Sequence, residues 1–172
     1  MFTATCSFSL MRGKCFCYLE TPIGNLRLRA SNEGLLAIDH VNQQGGELAD
    51  DWAEDAEHPI LAQALEELAA YFNGSLTKFA CPLAPGGTVF QQRVWDALQE
   101  IPYGETRSYS DIAHSIGNPK SVRAVGLANG KNPISIFIPC HRVIGKNGKL
   151  VGYAGGVEVK TKLLDIEQRS LF

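Results

Sequence analysis

Ser108-Tyr-Ser-Asp-Ile-Ala-His-Ser-Ile-Gly-Asn-Pro-Lys-Ser-Val-Arg-Ala-Val-Gly-Leu-Ala-Asn-Gly130 reads as two short helices around a tight turn. Ser108 and Asp111 stand three apart, ahead of Ile112, Ala113 and Ile116, in the pattern of a capping box followed by an apolar helical face. Gly117-Asn118 is a turn, and Pro119 stands where a second helix starts. That helix runs through Val122, Ala124, Val125 and Ala128 and stops at Asn129-Gly130. The pair forms a helix-turn-helix pattern whose second half carries Lys120, Arg123 and Lys131. Such a pair is either a DNA-binding element or a helical corner with solvated cations.

Upstream, Thr88-Val-Phe-Gln91 is another capping box, with Phe90, Val94, Trp95 and Leu98 on one helical face and Pro102-Tyr-Gly-Glu105 as the break. Before it, residues 82–87 read as a linker. Residues 16–20, 26–29 and 35–38 are strand-like runs separated by Pro and Gly turns, the pattern of an antiparallel meander. The acidic stretch 47–57 reads as loop or helix end. Pro59 opens a helix through Leu61, Leu65, Leu68, Ala69 and Phe72 that Asn73-Gly74 stops. Downstream, Ile134-Ser-Ile-Phe-Ile138 reads as a strand, Lys146-Asn-Gly-Lys149 as a hairpin turn, Gly152-Tyr-Ala-Gly-Gly156 as a loop, and 158–167 as a closing helix. The fold class expected is α+β: residues 1–86 a small antiparallel sheet with a helix, residues 87–172 mostly helical and winged-helix-like.

At 172 residues, 45% hydrophobic and 20% charged, the composition is that of a globular protein. It holds no apolar run of membrane-spanning length, and the N-terminus lacks the order of a signal peptide. Residues 1–86 carry 5 basic and 11 acidic residues, a balance of −6; the remainder carries 11 and 7, a balance of +4. Either the second part meets an anionic partner, or the split is a chance distribution of surface charge. An odd five Cys points to free thiols in a reducing, cytoplasmic compartment. Cys15 and Cys17 are expected to point to opposite faces of a strand, and with no C-x-x-C pair no metal site is expected.

Cys140 and His141 are adjacent at the end of an apolar run. A thiol becomes a nucleophile beside a base or cation, and His141 and Arg142 are the neighbouring candidates. Adjacent side chains point apart, which leaves His141 to act through a water; Glu167 is the acid that could return to orient its imidazole. Alone, the pair also fits a buried structural Cys.

Arg123-Ala-Val-Gly126, Asn132-Pro133, Ile138-Pro-Cys-His-Arg-Val143 and Gly152-Tyr-Ala-Gly-Gly156 follow in that order. The set resembles the O6-alkylguanine-DNA alkyltransferases (methylated-DNA–protein-cysteine methyltransferases), strongly over residues 88–170. It extends more weakly to the N-terminal part through Thr21-Pro-Ile-Gly24 and Tyr71-Phe-Asn-Gly74. The resemblance implies a ribonuclease-H-like N-terminal domain and a direct-reversal DNA repair protein that works as a monomer. Such a protein takes the alkyl group from O6-alkylguanine in double-stranded DNA, approached through the minor groove, with O4-alkylthymine left open as a second substrate.

By the same resemblance Cys140 is the acceptor, with His141 and Glu167 as its deprotonating partners and Tyr109 as the proton donor to the departing base. Arg123 fills the gap left by the flipped nucleotide, and Ala124, Lys120 and Lys131 lie on the DNA-facing element. Asn132 is the hinge, Val143 a backbone contact to the base, and Tyr153, Ala154, Gly155 and Gly156 the pocket wall. No cofactor is implied. A DNA-binding regulator without chemistry and a cysteine hydrolase remain as rival classes, the first with a dispensable Cys140 and the second with multiple turnovers.

Overall fold

The computed structural model describes residues 13–41, 48 and 51–169. The three strand-like runs form β1 (Lys14–Thr21), β2 (Gly24–Ser31) and β3 (Gly34–His40), paired antiparallel in sequence order. On β2 the apolar Leu26, Leu28 and Ala30 are fully buried, while the intervening Arg27 and Arg29 both reach Asp39 at 3.0 Å. Alternation thus separates a core face from a charged face.

Two expectations for this sheet need correction. Part of the acidic stretch lies outside the described residues, but Ala53–Glu54 forms β4, which pairs in parallel with β1. The sheet, ordered β3-β2-β1-β4, is therefore mixed rather than purely antiparallel. A two-residue strand is too short to show alternation in the sequence. Cys15 and Cys17 do not diverge: both are buried in the core, because a strand's period of two returns residues i and i+2 to the same face.

Helix α1 (Pro59–Phe72) starts at its proline and lays Leu61, Ala64, Leu68 and Tyr71 into the core at three- and four-residue spacing. The 82–87 segment is pinned to the sheet rather than loose. Leu35 N donates to Pro82 O and Ala84 N to Leu35 O, both at 2.8 Å. Gly34, at φ 153°, makes that approach possible, since a Cβ there would stand 2.7 Å from Pro82 O.

Both capping boxes form. Thr88 caps α2 (Val89–Gln99), and Ser108 caps α3 (Tyr109–Ser115). Pro119 opens a single 3₁₀ turn, Pro119–Ser121, that leads into α4 (Val122–Gly130). Helix α2 braces the helix-turn-helix: Trp95 Nε1 donates to Ala128 O at 3.0 Å and Arg93 Nη2 to Ile116 O at 2.6 Å. Two-residue strands β5 (Arg107–Ser108) and β6 (Val143–Ile144) pair in parallel, and α5 (Val157–Arg169) closes the described chain. The 146–149 turn forms, with Gly145 N on Lys149 O at 2.8 Å, but no returning strand makes it a hairpin.

The 134–138 run is not a strand. It folds back on itself, with Ile138 N on Ile134 O at 3.0 Å, and docks on β3 through Ile38 N to Pro133 O at 2.8 Å. Its residues are all buried, so apolar composition marked burial and not extension. Ile136 holds φ 76°, the one non-glycine residue at positive φ among the described residues. That backbone costs an L-residue about 1–2 kcal/mol, most of all a β-branched one. Ile136→Ala, which loses a fully buried side chain and keeps the strained backbone, is expected to cost about 2–4 kcal/mol in urea unfolding. Ile136→Gly is expected to cost about 1 kcal/mol less, a reversal of the usual order; glycine proving worse than alanine would contradict a strained turn.

Candidate active site

Residues Cys140–Arg142 make one 3₁₀ turn after Pro139. Successive side chains in such a turn splay by about 120°, so the three neighbours face different ways. His141 and Arg142 turn onto α5. His141 Nε2 lies 2.6 Å from Glu167 Oε1, and Arg142 grips the same carboxylate through Nε at 2.9 Å and Nη2 at 3.0 Å. Glu167 also accepts from Tyr71 Oη at 2.9 Å and Gly104 N at 3.0 Å. Both His141 and Glu167 are fully buried.

These contacts set the protonation states. Burial pushes the Glu167 carboxyl up, but hydrogen bonds and charge from His141 and Arg142 outweigh it and hold it at about 2. Burial drives the His141 imidazole below its ordinary value, against the opposing pull of Glu167. An ionised carboxylate facing a neutral imidazole requires the proton on Nε2, which donates to it. Nδ1 is then the bare acceptor, and it has no hydrogen-bond partner among the described residues.

Cys140 is 5% exposed. Burial raises its thiol to about 11, while Asn132, the Lys160 charge and nearby backbone groups pull it back. The resting sulfur is a thiol, and its activation depends on a base. Arg142, expected as a cation beside it, is instead committed to Glu167 and to Ile101 O at 2.6 Å. The cation that acts on the thiol is Lys160 of α5, fully buried, with Nζ on Val143 O at 2.5 Å and Val151 O at 3.1 Å. The sequence reading missed Lys160. The available signal was its place at i, i+3, i+7 with Leu163 and Glu167, a lysine on the buried stripe of α5.

Asn132 spans the fold-back, accepting from Ile134 N at 3.0 Å and donating to Ile138 O at 2.8 Å. It thereby joins the end of α4 to the Cys140 turn. A cavity of about 600 Å³ opens beside α4, lined in part by Tyr109, Arg123, Gly126, Tyr153 and Ala154. Tyr109 Oη donates to Val151 O at 3.3 Å, and burial followed by the Cys140 charge raises both the Tyr109 and Tyr153 phenols. Arg123, Ala124, Lys120 and Lys131 are exposed on α4 and its flanks. Gly155 and Gly156 lie in the loop behind the cavity wall without lining it. Val143 is fully buried, its carbonyl on Lys160. No cluster of three or more His, Cys, Asp or Glu side chains suited to a metal ion occurs among the described residues.

Residues 89–169 match the family model described as 6-O-methylguanine DNA methyltransferase, DNA binding domain, and residues 15–85 match the same family's ribonuclease-like domain. The chain belongs to the 6-O-methylguanine DNA methyltransferase family. It is 51% identical over 153 residues to a methylated-DNA–protein-cysteine methyltransferase of Methanosarcina acetivorans, covering 88% of this chain and 97% of the relative. The constitutive enzyme of that name from Bacillus subtilis is 48% identical over 158 residues, covering 88% and 93%. Among solved structures of the family, the Mycobacterium tuberculosis O6-methylguanine methyltransferase superposes with a TM-score of 0.83 at 46% identity, over 91% of this chain and 94% of that one. The Mycobacterium tuberculosis OGT in complex with DNA gives 0.81 at 47% identity, over 91% and 94%. The α+β architecture of this methyltransferase family, a sheet domain followed by a helical one, is that of this chain.

The acid stability of this methyltransferase follows from the relay. Glu167 has a folded value below its unfolded value of about 4.3, so its contribution is complete above that pH and lost as pH falls through about 2. His141, also lowered, contributes fully above about 6.5 and less below. Thermal midpoints from pH 7 downward are expected to fall in these two windows. Glu167→Gln is expected to be less stable at pH 7 but to lose less below about pH 4.3; parallel curves for the two proteins would assign the acid transition to other groups.

Proposed function

We propose that this protein repairs DNA by direct reversal, moving the alkyl group of O6-alkylguanine irreversibly onto its own Cys140. The observation that carries the reading is the 2.6 Å contact of His141 Nε2 with Glu167, which leaves Nδ1 as a bare base in the turn that holds the thiol. Family membership and the names of close relatives support the same reaction.

His141 Nδ1 takes the Cys140 proton through a bridging water, and Glu167 stabilises the imidazolium. The Lys160 ammonium steadies the thiolate as it forms. The sulfur attacks the alkyl carbon: a C–S bond forms, the C–O6 bond breaks, and its electron pair stays on the base. Tyr109, its phenol held protonated by burial, donates a proton to the departing guanine. The product thioether has no route back to a thiol, so each molecule acts once.

A base inside the stack cannot reach Cys140, so it is extruded at a cost of a few kcal/mol. Helix α4 lies in the minor groove with Arg123 filling the gap and small Ala124 allowing close approach, while Lys120 and Lys131 meet phosphates. The base enters the cavity between Tyr109 and Tyr153, against Ala154 with Gly155 and Gly156 behind it. Asn132 keeps the helix and the Cys140 turn in register. A contact from Val143 uses the second lone pair of a carbonyl already on Lys160. The protein acts as a monomer in the cytoplasm without a cofactor, with its domain boundary at 86/87. No helix among the described residues is long and apolar enough to cross a membrane.

Intact mass after incubation with duplex DNA holding O6-methylguanine is expected to show one methyl gained per protein, on Cys140. Cys140→Ser is expected to gain none yet bind DNA nearly as well. Continued product release would favour a hydrolase, and no gain by the wild type a regulator. Arg123→Ala is expected to slow transfer from duplex DNA by about tenfold, the loss of about 1.4 kcal/mol, while transfer from free O6-alkylguanine base is nearly unchanged. Equal losses on both substrates would place Arg123 in the chemistry.

A further inference from the structure

His40 of the N-terminal sheet packs behind the wall of the substrate cavity, against Tyr153. His40, the last residue of β3, pairs with Leu26 of β2, and the next residue holds Asn25 O through Val41 N at 2.9 Å. Two residues earlier, Ile38 N is bonded to Pro133 O. The backbone of His40 is thus fixed on both sides. Its ring meets Tyr153 edge-on, with centroids 5.7 Å apart at 72°, and its Nε2 stands 3.5 Å from Ser135 Oγ. A Cβ built on Gly155 would come within 3.0 Å of the His40 ring atoms. Tyr153 lines the cavity; His40 and Gly155 do not.

We propose that His40 determines the size of alkyl group the protein accepts, by backing the 152–156 loop and limiting how far Tyr153 retreats from the cavity. The inference rests on the alkyl-transfer reading above. The loop itself is rich in glycine, with Gly152 at φ 44° and Gly156 at φ 90°, so its own backbone resists displacement weakly. It is tied by Tyr109 and Lys160 at Val151 and by Gly156 N on Tyr153 O at 2.9 Å. The ties at Val151 hold the start of the loop, and the Gly156–Tyr153 bond closes a turn within it without anchoring it to the rest of the fold. Its middle, Tyr153 to Gly155, is stopped by the His40 ring. A methyl group requires no retreat, whereas a bulky alkyl group presses Tyr153 toward His40. Glycine at 155 is what lets loop and ring stand this close.

The test compares transfer rates from duplex DNA holding O6-benzylguanine or O6-methylguanine, read by intact mass. His40→Ala is expected to raise the benzyl-to-methyl rate ratio by about tenfold, the scale on which pockets discriminate one or more carbon atoms. His40→Phe, which keeps a ring, is expected to stay near the wild-type ratio. Gly155→Ala is expected to lower the ratio, and addition of His40→Ala to restore it, because the pair couples through one contact. A Gly155→Ala effect that persists in the double variant, or a His40→Ala change equal for both substrates, would overturn the proposal. Wild-type protein that takes up neither group would instead overturn the alkyl-transfer reading.

Discussion

A single buried carboxylate organises this molecule. Glu167 is cut off from water and accepts from Tyr71, Gly104, His141 and Arg142, which come from α1, the loop after α2 and the Cys140 turn. An isolated buried charge would be prohibitive, and taking one partner from a buried pair commonly costs about 3–5 kcal/mol. The arrangement is stable only when all of these segments are in place together. Tyr71 belongs to the sheet domain and the other donors to the helical domain, so the same oxygen atoms dock the two halves and orient the imidazole. Arg142 carries the compensating charge, which leaves His141 neutral and available as a base.

The second constraint is the fold-back between α4 and the Cys140 turn. Asn132 satisfies one backbone donor and one backbone acceptor of this segment, and Ile136 accepts a left-handed backbone to complete it. Strain of this kind persists only where surrounding packing over-determines the conformation. Here the packing is the fully buried Ile134, Ile136 and Ile138, set against β3. The helix that carries Arg123 and the Cys140 thiol are thereby held a fixed distance apart.

Burial also raises the Cys140 thiol to about 11, which favours the protonated sulfur near neutrality. The proposed activation then draws on a base aligned by Glu167 and on a cation, Lys160, whose ammonium holds both Val143 O after the Cys140 turn and Val151 O just before the 152–156 loop.

The local signals were legible because their physics is local. Each capping box is a side chain meeting a backbone group three residues away, and both formed as read at Thr88 and Ser108. Pro59, Asn73-Gly74 and the alternation on β2 likewise follow from neighbouring residues. The Pro-Cys-His-Arg-Val motif brought Cys140, His141 and, through the family resemblance, Glu167 into view. Residues 134–138 were misread because an apolar run records burial without recording direction. Of the two neighbouring candidates, Arg142 is turned by the 3₁₀ turn onto Glu167 and Ile101 O. The long-range contacts of Tyr71, Lys160 and His40 could not be read from spacing along the chain. Their partners lie 96, 17 and 95 residues away, at Glu167, Val143 and Ser135, and a hydrogen bond across such a separation exists only once the chain has folded.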